Sequence, residues 1–422
     1  MKFRDAIIAG VQPLTQNRLR AGLSILGIFI GVAGVLCMVA IGDGAKRILV
    51  EDIEKLGGAN QFTFYTRTSI FKRGRLQRTT ERYTLEDAYA IEAECPEVLY
   101  VLPNHESFEN FVSSRTGNQA MALIEAATAD YARGMGWELQ TGRFLTENDI
   151  ETAAQVCVLG ADIAIELFGE ASPVGQEVKV RYYRYWRQKP VRMRVVGVMK
   201  PKGRSLTWEY CLDDAVCLPL TTYQQRLTGI RYVEYMIVFF QKDANVNSVI
   251  ACGKNILRKR HRGQDNFITY YIPKLTFRRL DHIQKVIKIA LGSIAGFSLF
   301  VSGIGIMNIC LVSVGEKTRE IGLRKSVGAK RIHIFYQFLT ESICLCLCGG
   351  LLGIVGGWGA AHALSRLAVR IVLVVDAWPV VLSLRWILIS VIFSIVIGVG
   401  FGVYPAIRAA QLSPIDAFRT EN

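Results

Sequence analysis

The sequence predicts a membrane α-helical protein: four transmembrane helices with a large extracytoplasmic α+β domain inserted between the first and the second. Three observations carry this reading. Four uncharged apolar runs are each long enough to cross a bilayer. The 245 residues from Asp43 to Ile287, between the first two runs, mix charged and apolar residues as a water-exposed domain does. Lysine and arginine gather in segments that four alternating spans would place on one side.

The runs are Ala21 to Gly42, Ile289 to Gly315, Ser342 to Ser365 and Trp386 to Ile407, each closed at both ends by a charged residue. About 20 helical residues at 1.5 Å rise cross roughly 30 Å of hydrocarbon, so each suffices. A cleaved signal peptide fits the first run poorly, because its apolar stretch exceeds the usual ~7–15 residues and flows into an amphipathic helix. A mean hydropathy of +0.26 with 20% charged residues agrees with a chain that is part membrane, part water-exposed.

Lys2, Arg4, Arg18 and Arg20 (an interfacial N-terminal helix, 1–20), six basic residues between Lys317 and Arg331 (a loop, 316–341), and Arg408 and Arg419 (a tail, 408–422) assign those segments to the cytosol. The loop 366–385, with three basic residues, then faces outward with 43–287. A net charge of +14 can signal nucleic-acid binding, but no nucleic-acid module is present, and anionic lipid accounts for basic residues at cytosolic helix ends.

The exported segment reads as two-lobed. Ile48, Leu49, Ile53 and Leu56 share a helix face ended by Gly57-Gly58, and Phe277, Leu280, Ile283 and Ile287 continue into the second span, so two helical stalks flank the domain. Alternation at Gln61 to Tyr65 and Arg192 to Val198 predicts strands; Glu86 to Glu94 and Asp162 to Phe168 predict helices. From Val178 to Trp208 there are ten basic residues and no acidic one, with Arg181, Arg184, Arg187, Arg192 and Arg194 forming a candidate patch for an acidic partner or anionic substrate; the alternative is a solvated hairpin face. Of the five exported cysteines, Cys211 and Cys217 are close enough in sequence to be a candidate disulfide, although Cys217 sits on the buried face of a predicted strand.

Catalytic and metal signatures are missing: no H-E-x-x-H, G-x-S-x-G, C-x-x-C or nucleotide-phosphate loop, and five scattered histidines. The chain is therefore not read as an enzyme or as a metal binder, and it binds no cofactor of its own. What stands out is the segment from Val314 to Arg331, with Glu316, Arg319, Glu320 and Arg324 at helical spacing and with Gly322 and Gly328 able to bend or end short helices. Small-residue ladders also recur: Gly27/Gly31, Gly292/Gly296, Gly349/Gly353/Gly357 and Gly398/Gly402.

The sequence from Glu316 to Ala329 resembles the E-R-T-R-E-I-G-I-R-x-A-x-G-A signature of the MacB/FtsX family of ABC transporter permeases. Further pieces are similar to that family in order: Asn17 to Arg20, Leu26 to Ala33, Val39 to Ala45, Gly142 to Phe144, Val158 to Gly160, Leu167 to Gly169, Pro173 to Gly175, Val195 to Val198, Tyr404 to Ala406 and Ser413 to Arg419. Lys325-Ser326 departs from a commonly apolar-small pair, and the run from Arg181 to Arg187 is longer and more basic than the pattern.

The resemblance implies a bacterial inner-membrane permease that dimerises, as a homodimer or with a related permease. It implies an ABC ATP-binding subunit, here a separate chain carrying ATP and Mg, together with a periplasmic adaptor and an outer-membrane channel. Substrates would be peptide-, antibiotic- or siderophore-like and expelled by mechanotransmission. Lipoprotein release is an alternative; an FtsX-type regulator of cell-wall hydrolases is disfavoured by the size of the inserted domain. Glu316, Arg319, Glu320, Ile321, Gly322, Arg324, Gly328 and Ala329 would dock the ATPase, with Ile321 offered to an apolar slot, and Gly27, Gly31, Gly292 and Gly296 would line the dimer.

Overall fold

A computed structural model describes residues 18–55, 57–58, 60–72, 75–182, 190–205, 211–371, 377–414 and 417. In chain order the main elements are α1 (Arg18–Lys55), β1 (Gln61–Thr66), β2 (Ser69–Lys72), β3 (Arg75–Arg78), α2 (Leu85–Glu94), β4 (Val98–Ser114), β5 (Gln119–Ala127), β6 (Leu139–Gly142), β7 (Val156–Leu159), α3 (Ala161–Phe168), β8 (Glu177–Arg181), β9 (Val191–Met199), β10 (Ala215–Pro219), β11 (Tyr235–Phe240), α4 (Val246–Arg260), β12 (Ile268–Tyr271), α5 (Pro273–Glu316), α6 (Thr318–Ser326), α7 (Arg331–Ile371) and α8 (Leu384–Gln411). The chain divides into a helical unit, up to Ile48 and from Leu280, and an inserted unit, Leu49–Arg279.

In the helical unit α1, α5, α7 and α8 are each long and apolar enough to cross a membrane. Lipid supplies no hydrophobic drive for helix pairing, so association depends on close van der Waals fit and small residues. Ile28, Val32 and Leu36 of α1 are buried with Leu299, Ile306 and Cys310 of α5 and Cys346 of α7. The third ladder serves this contact: a Cβ on Gly353 would lie 2.8 Å from the Val32 Cβ, and one on Gly357 3.0 Å from the Ala33 carbonyl oxygen. The fourth ladder packs α8 on α7, where Gly402 abuts Ser342. Toward the C-terminal end of α1, Asp43 pairs with Lys288 and Lys46 with Asp281, both at 2.8 Å.

The inserted unit is built on one ten-stranded mixed sheet, ordered β12-β1-β11-β4-β5-β10-β7-β9-β6, with β8 pairing β4 and β9. The 17-residue β4 threads both halves of this sheet. Its first part pairs β11 from Val98 to Asn104, and its second pairs β5 and β8. Within the part that pairs β5, β4 breaks register between Ser107 and Asn110, with Glu109 in the left-handed region at φ 59°. The unbroken apolar run of β11 is buried on both faces: Met236, Val238 and Phe240 enter one cluster, Tyr235, Ile237 and Phe239 the other.

Cys95, which caps α2, bridges to Cys252 of α4 across 157 residues of sequence. Cys211 and Cys217, the candidate pair, are both free and buried. Cys217 lies within β10 and is packed in the apolar core, which holds its thiol away from pairing. The His261 ring spans the Glu81 and Asp87 carboxylates at 2.8 and 2.9 Å, and Arg260 donates to Asp87 at 2.6 Å.

Candidate functional site

The segment joining the second and third apolar helices folds as a separate short helix, α6. The chain leaves α5 through Lys317, at φ −94° and ψ 9°, and the Thr318 hydroxyl donates back to the Val314 and Gly315 carbonyls at 2.9 and 2.8 Å. The C-terminal end is set by glycine. Gly328 has φ 102°, its N–H bonds the Lys325 carbonyl at 3.1 Å, and the Ala329 N–H bonds the Arg324 carbonyl at 3.0 Å. This paired closure is a Schellman motif, which a Cβ at position 328 would strain. Gly322 neither bends nor ends the helix; it is buried within it beside Ile321.

Three inward contacts anchor α6 to its own chain. Ile321, 3% exposed, packs with Val314, Ile334, Phe338, Ala406 and Ala409, so it is not available to a partner; that apolar slot belongs to this chain. The Lys325 ammonium donates to the Ala410 and Leu412 carbonyls at 2.7 and 2.6 Å. A cation there meets the negative end of the α8 dipole, which gives the departure from the family pattern at Lys325 a structural role. Burial lowers the Lys325 pKa, and the nearby Arg331 lowers it further. At the other end, Lys317 lies 3.7 Å from the buried Glu341 carboxylate, to which the Ser313 hydroxyl also donates at 3.5 Å.

The outward face is mixed. Arg319, Glu320 and Arg324 are exposed, and Arg324 donates to Glu320 one turn earlier and to Gln337 of α7 at 2.7 Å. Leu323 and Val327 stand with them, 58% and 84% exposed, beside a groove of about 620 Å³ that includes Gly328, Ala329, His333 and Gln337. The sequence reading missed both apolar residues, although Glu320, Leu323, Arg324 and Val327 follow the i, i+3, i+4, i+7 pattern of one helix face. Glu316, at the end of α5, is exposed.

The other candidate residues separate. Gly27 and Gly31 are consumed by packing within the chain: a Cβ on Gly27 would lie 1.9 Å from the Ser302 hydroxyl, and one on Gly31 2.8 Å from Leu299 Cγ. Gly292 and Gly296 have nothing within 4 Å of a built Cβ and adjoin the exposed Ile289, Ile294 and Phe297. Arg181, Arg192 and Arg194 are exposed on the β8–β9 hairpin, with Lys179 opposite Arg192. Arg184 and Arg187 lie outside the described residues. Among the described residues, Asp162, Cys211 and Asp213 alone converge as metal ligands might. There the Asp213 carboxylate already accepts the N–H groups of Lys202 and Gly203, and burial pushes the Cys211 thiol up to about 11.

The model of the MacB-like periplasmic core domain matches residues 21–251, and that of the FtsX-like permease C-terminal region matches 292–414. The chain is 34% identical over 421 residues to the macrolide export ATP-binding/permease protein MacB of Bdellovibrio bacteriovorus, covering 98% of this chain and 61% of that protein. It is 33% identical over 425 residues to the pyoverdine export ATP-binding/permease protein PvdT of Pseudomonas syringae, covering 99% and 59%. The chain thus spans about three fifths of the length of these relatives. The crystal structure of the periplasmic region of MacB from Actinobacillus actinomycetemcomitans aligns with a TM-score of 0.43 at 19% identity, over 55% of this chain and 97% of that one. With one family model matching more than half of its residues and the second most of the remainder, this chain belongs to the MacB-like, FtsX-like permeases and is a multi-pass membrane protein.

Proposed function

We propose that this chain is the permease part of an ATP-driven exporter of the bacterial inner membrane, and that α6 is the seat of an ABC ATP-binding subunit holding the ATP and Mg. The supporting observation is the division of α6 into two faces. Ile321, Lys325 and Lys317 fasten it to α7 and α8, while Glu320, Leu323, Arg324 and Val327 stand outside with no structural task that needs exposed apolar side chains. A helix that must transmit force needs this combination, since a loosely held one would move without moving its neighbours. α1 and α5 each run unbroken from an apolar span into the inserted domain's sequence, which gives a route for that motion.

The relatives' activities, macrolide and pyoverdine export, support a peptide-, antibiotic- or siderophore-like substrate; a periplasmic adaptor and outer-membrane channel complete the proposed export route. The open Gly292/Gly296 face of α5 supports a dimer formed through that helix. The test of the docking role is charge reversal on the outward face. Glu320→Lys and Arg324→Glu should insert normally into membrane yet lose co-purification of the ATP-binding subunit, because truncating one partner of an interfacial charge pair costs roughly 2–5 kcal/mol. Normal binding and permease-stimulated ATP hydrolysis by both variants would remove the main support for ATP coupling at α6.

A further inference from the structure

The helices α2 and α4 pack together in the inserted domain, where Ile91 and the capping Cys95 of α2 and Val249, Ile250 and Leu257 of α4 share a buried cluster with Phe62 and Phe64 of β1. Gly253 permits the approach, since a Cβ there would lie 2.9 Å from the Phe64 ring. Two ties of different chemistry fasten the pair. Near the start of α2, the Asp87 carboxylate holds Arg260, at the end of α4, at 2.6 Å and the His261 ring at 2.9 Å. At the other end of α2, Cys95 is bonded to Cys252, which lies earlier in α4, so the two helices run antiparallel. The ionic tie can form in any aqueous compartment. The covalent tie persists only where thiols are oxidised, because a reducing cytosol keeps cysteine pairs open.

The pairing is selective. Cys157, Cys211 and Cys217, the other cysteines of the inserted domain, are buried in or beside β7 and β10 and remain free. Burial pushes the Cys157 thiol up to about 12 and the Cys211 thiol up to about 11, which keeps both in the protonated, unreactive form. The bonded pair is itself unequal. Cys95 is 2% exposed and enclosed in the apolar cluster, whereas Cys252 is only partly buried and packs against that cluster. Thiol–disulfide exchange requires an attacking thiolate to reach one sulfur of the bond, so access decides which sulfur is attacked. Here access favours Cys252. The bond also joins positions 157 residues apart, and a cross-link that closes a long loop removes much conformational freedom from the unfolded chain.

We propose that the Cys95–Cys252 bond is a redox clamp between α2 and α4, made and opened through the Cys252 sulfur by exchange with a dithiol–disulfide oxidoreductase on the side of the membrane that the inserted domain faces. In closing, the Cys252 thiolate attacks the oxidoreductase disulfide, forms a mixed disulfide and releases one oxidoreductase thiol. The Cys95 thiolate then attacks the Cys252 sulfur and displaces the second thiol. Two electrons and two protons thus pass from the cysteine pair to the oxidoreductase, whose disulfide is reduced to a dithiol. Opening reverses the order: an incoming thiolate bonds to Cys252, Cys95 leaves, and a second thiol of the reductant displaces Cys252. The assignment goes beyond the export reading and rests on the inserted domain alone.

The test uses the full chain in bacterial cells and in nanodiscs. Cells are quenched in acid, free thiols are blocked with N-ethylmaleimide, and the chain is then reduced and labelled with maleimide-polyethylene glycol. Two polymers should add to each wild-type chain, and at most one to Cys95→Ala or Cys252→Ala. In nanodiscs with oxidised glutathione, Cys95→Ala should take up glutathione at Cys252 roughly tenfold faster than Cys252→Ala does at Cys95, as located by peptide mass spectrometry. Reductant should lower the wild-type unfolding temperature by roughly 5–15 °C and leave both variants unchanged. Should either variant fail to fold, wild-type chain opened by reductant and given limiting iodoacetamide reads the same asymmetry, with Cys252 alkylated first. A wild type with no reducible pair in cells, or with an unfolding temperature that reductant does not move, would overturn the clamp. Equal reactivity of the two sulfurs would overturn the assignment of Cys252. No readout uses ATP or transport, so a failure of the export reading leaves each of these results standing.

Discussion

Replacing Leu323 and Val327 together by alanine tests the docking face of α6 without touching its anchors. Fully covering a Leu or Val side chain is worth about 1.5–3 kcal/mol. Leu323 is already partly covered, 58% exposed, whereas Val327 is 84% exposed, and alanine keeps the Cβ of each. The double variant should therefore lose about 2–3 kcal/mol of association energy, roughly 30–150-fold in Kd. Neither side chain belongs to the cluster that holds α6, so the chain's own stability should change by only about 0.5 kcal/mol. Ile321→Ala supplies the contrast: at 3% exposure it should destabilise the chain itself by about 2–5 kcal/mol. Binding of the ATP-binding subunit to nanodisc-embedded chain, by interferometry, reads the first effect, and thermal unfolding reads the second. A double variant that binds within threefold of wild type would refute the docking face. So would a loss of binding that merely follows a drop in unfolding temperature.

Two further predictions concern the inserted domain and the dimer. Burial alone would lower the His261 pKa, but Glu81 and Asp87 overcome it and raise the imidazole above its ordinary 6.5; burial alone would raise Asp87, but Arg260, His261 and the Thr84 N–H hold it below its ordinary 3.8. Asp87 thus stays ionised from pH 5 upward, while the stability that His261 adds is complete below pH 6.5 and is lost as pH rises through the raised value. The unfolding-temperature gap between wild type and His261→Gln should accordingly be largest at low pH and close toward pH 9; a gap that widens with pH contradicts the assignment. In lipid, Gly292→Ile and Gly296→Ile should abolish disulfide cross-linking from a cysteine placed at Ser293 while leaving the monomer folded. Gly27→Ala should instead weaken folding, because its Cβ would lie 1.9 Å from the Ser302 hydroxyl. Cross-linking that survives both isoleucines places the dimer elsewhere.

The amino-acid sequence by itself determined the spans, the inserted domain and the position of α6, because each is written in local patterns. A run of more than 20 uncharged residues has few places to go but a bilayer, and Gly328-Ala329 closes a helix by backbone chemistry that needs no distant partner. The family signature around Glu316 to Ala329 was legible for the same reason: its residues are contiguous. What tertiary structure decided was which side of each pattern faces inward. Ile321 and Leu323 are both apolar residues of one short helix, and only the placement of α7 and α8 buries the first and exposes the second. Gly27/Gly31 and Gly292/Gly296 have the same spacing, yet α5 fills the first pair and leaves the second open. Cys95 found Cys252 rather than any nearer thiol because α2 and α4 pack together after 157 residues of intervening chain. Concavity was least legible of all. Thr66, His105, Tyr182 and Glu234 come from four separate parts of the chain and line one cleft of the inserted domain, beside the point where β4 slips its register against β5, a cross-strand event with no period in one dimension.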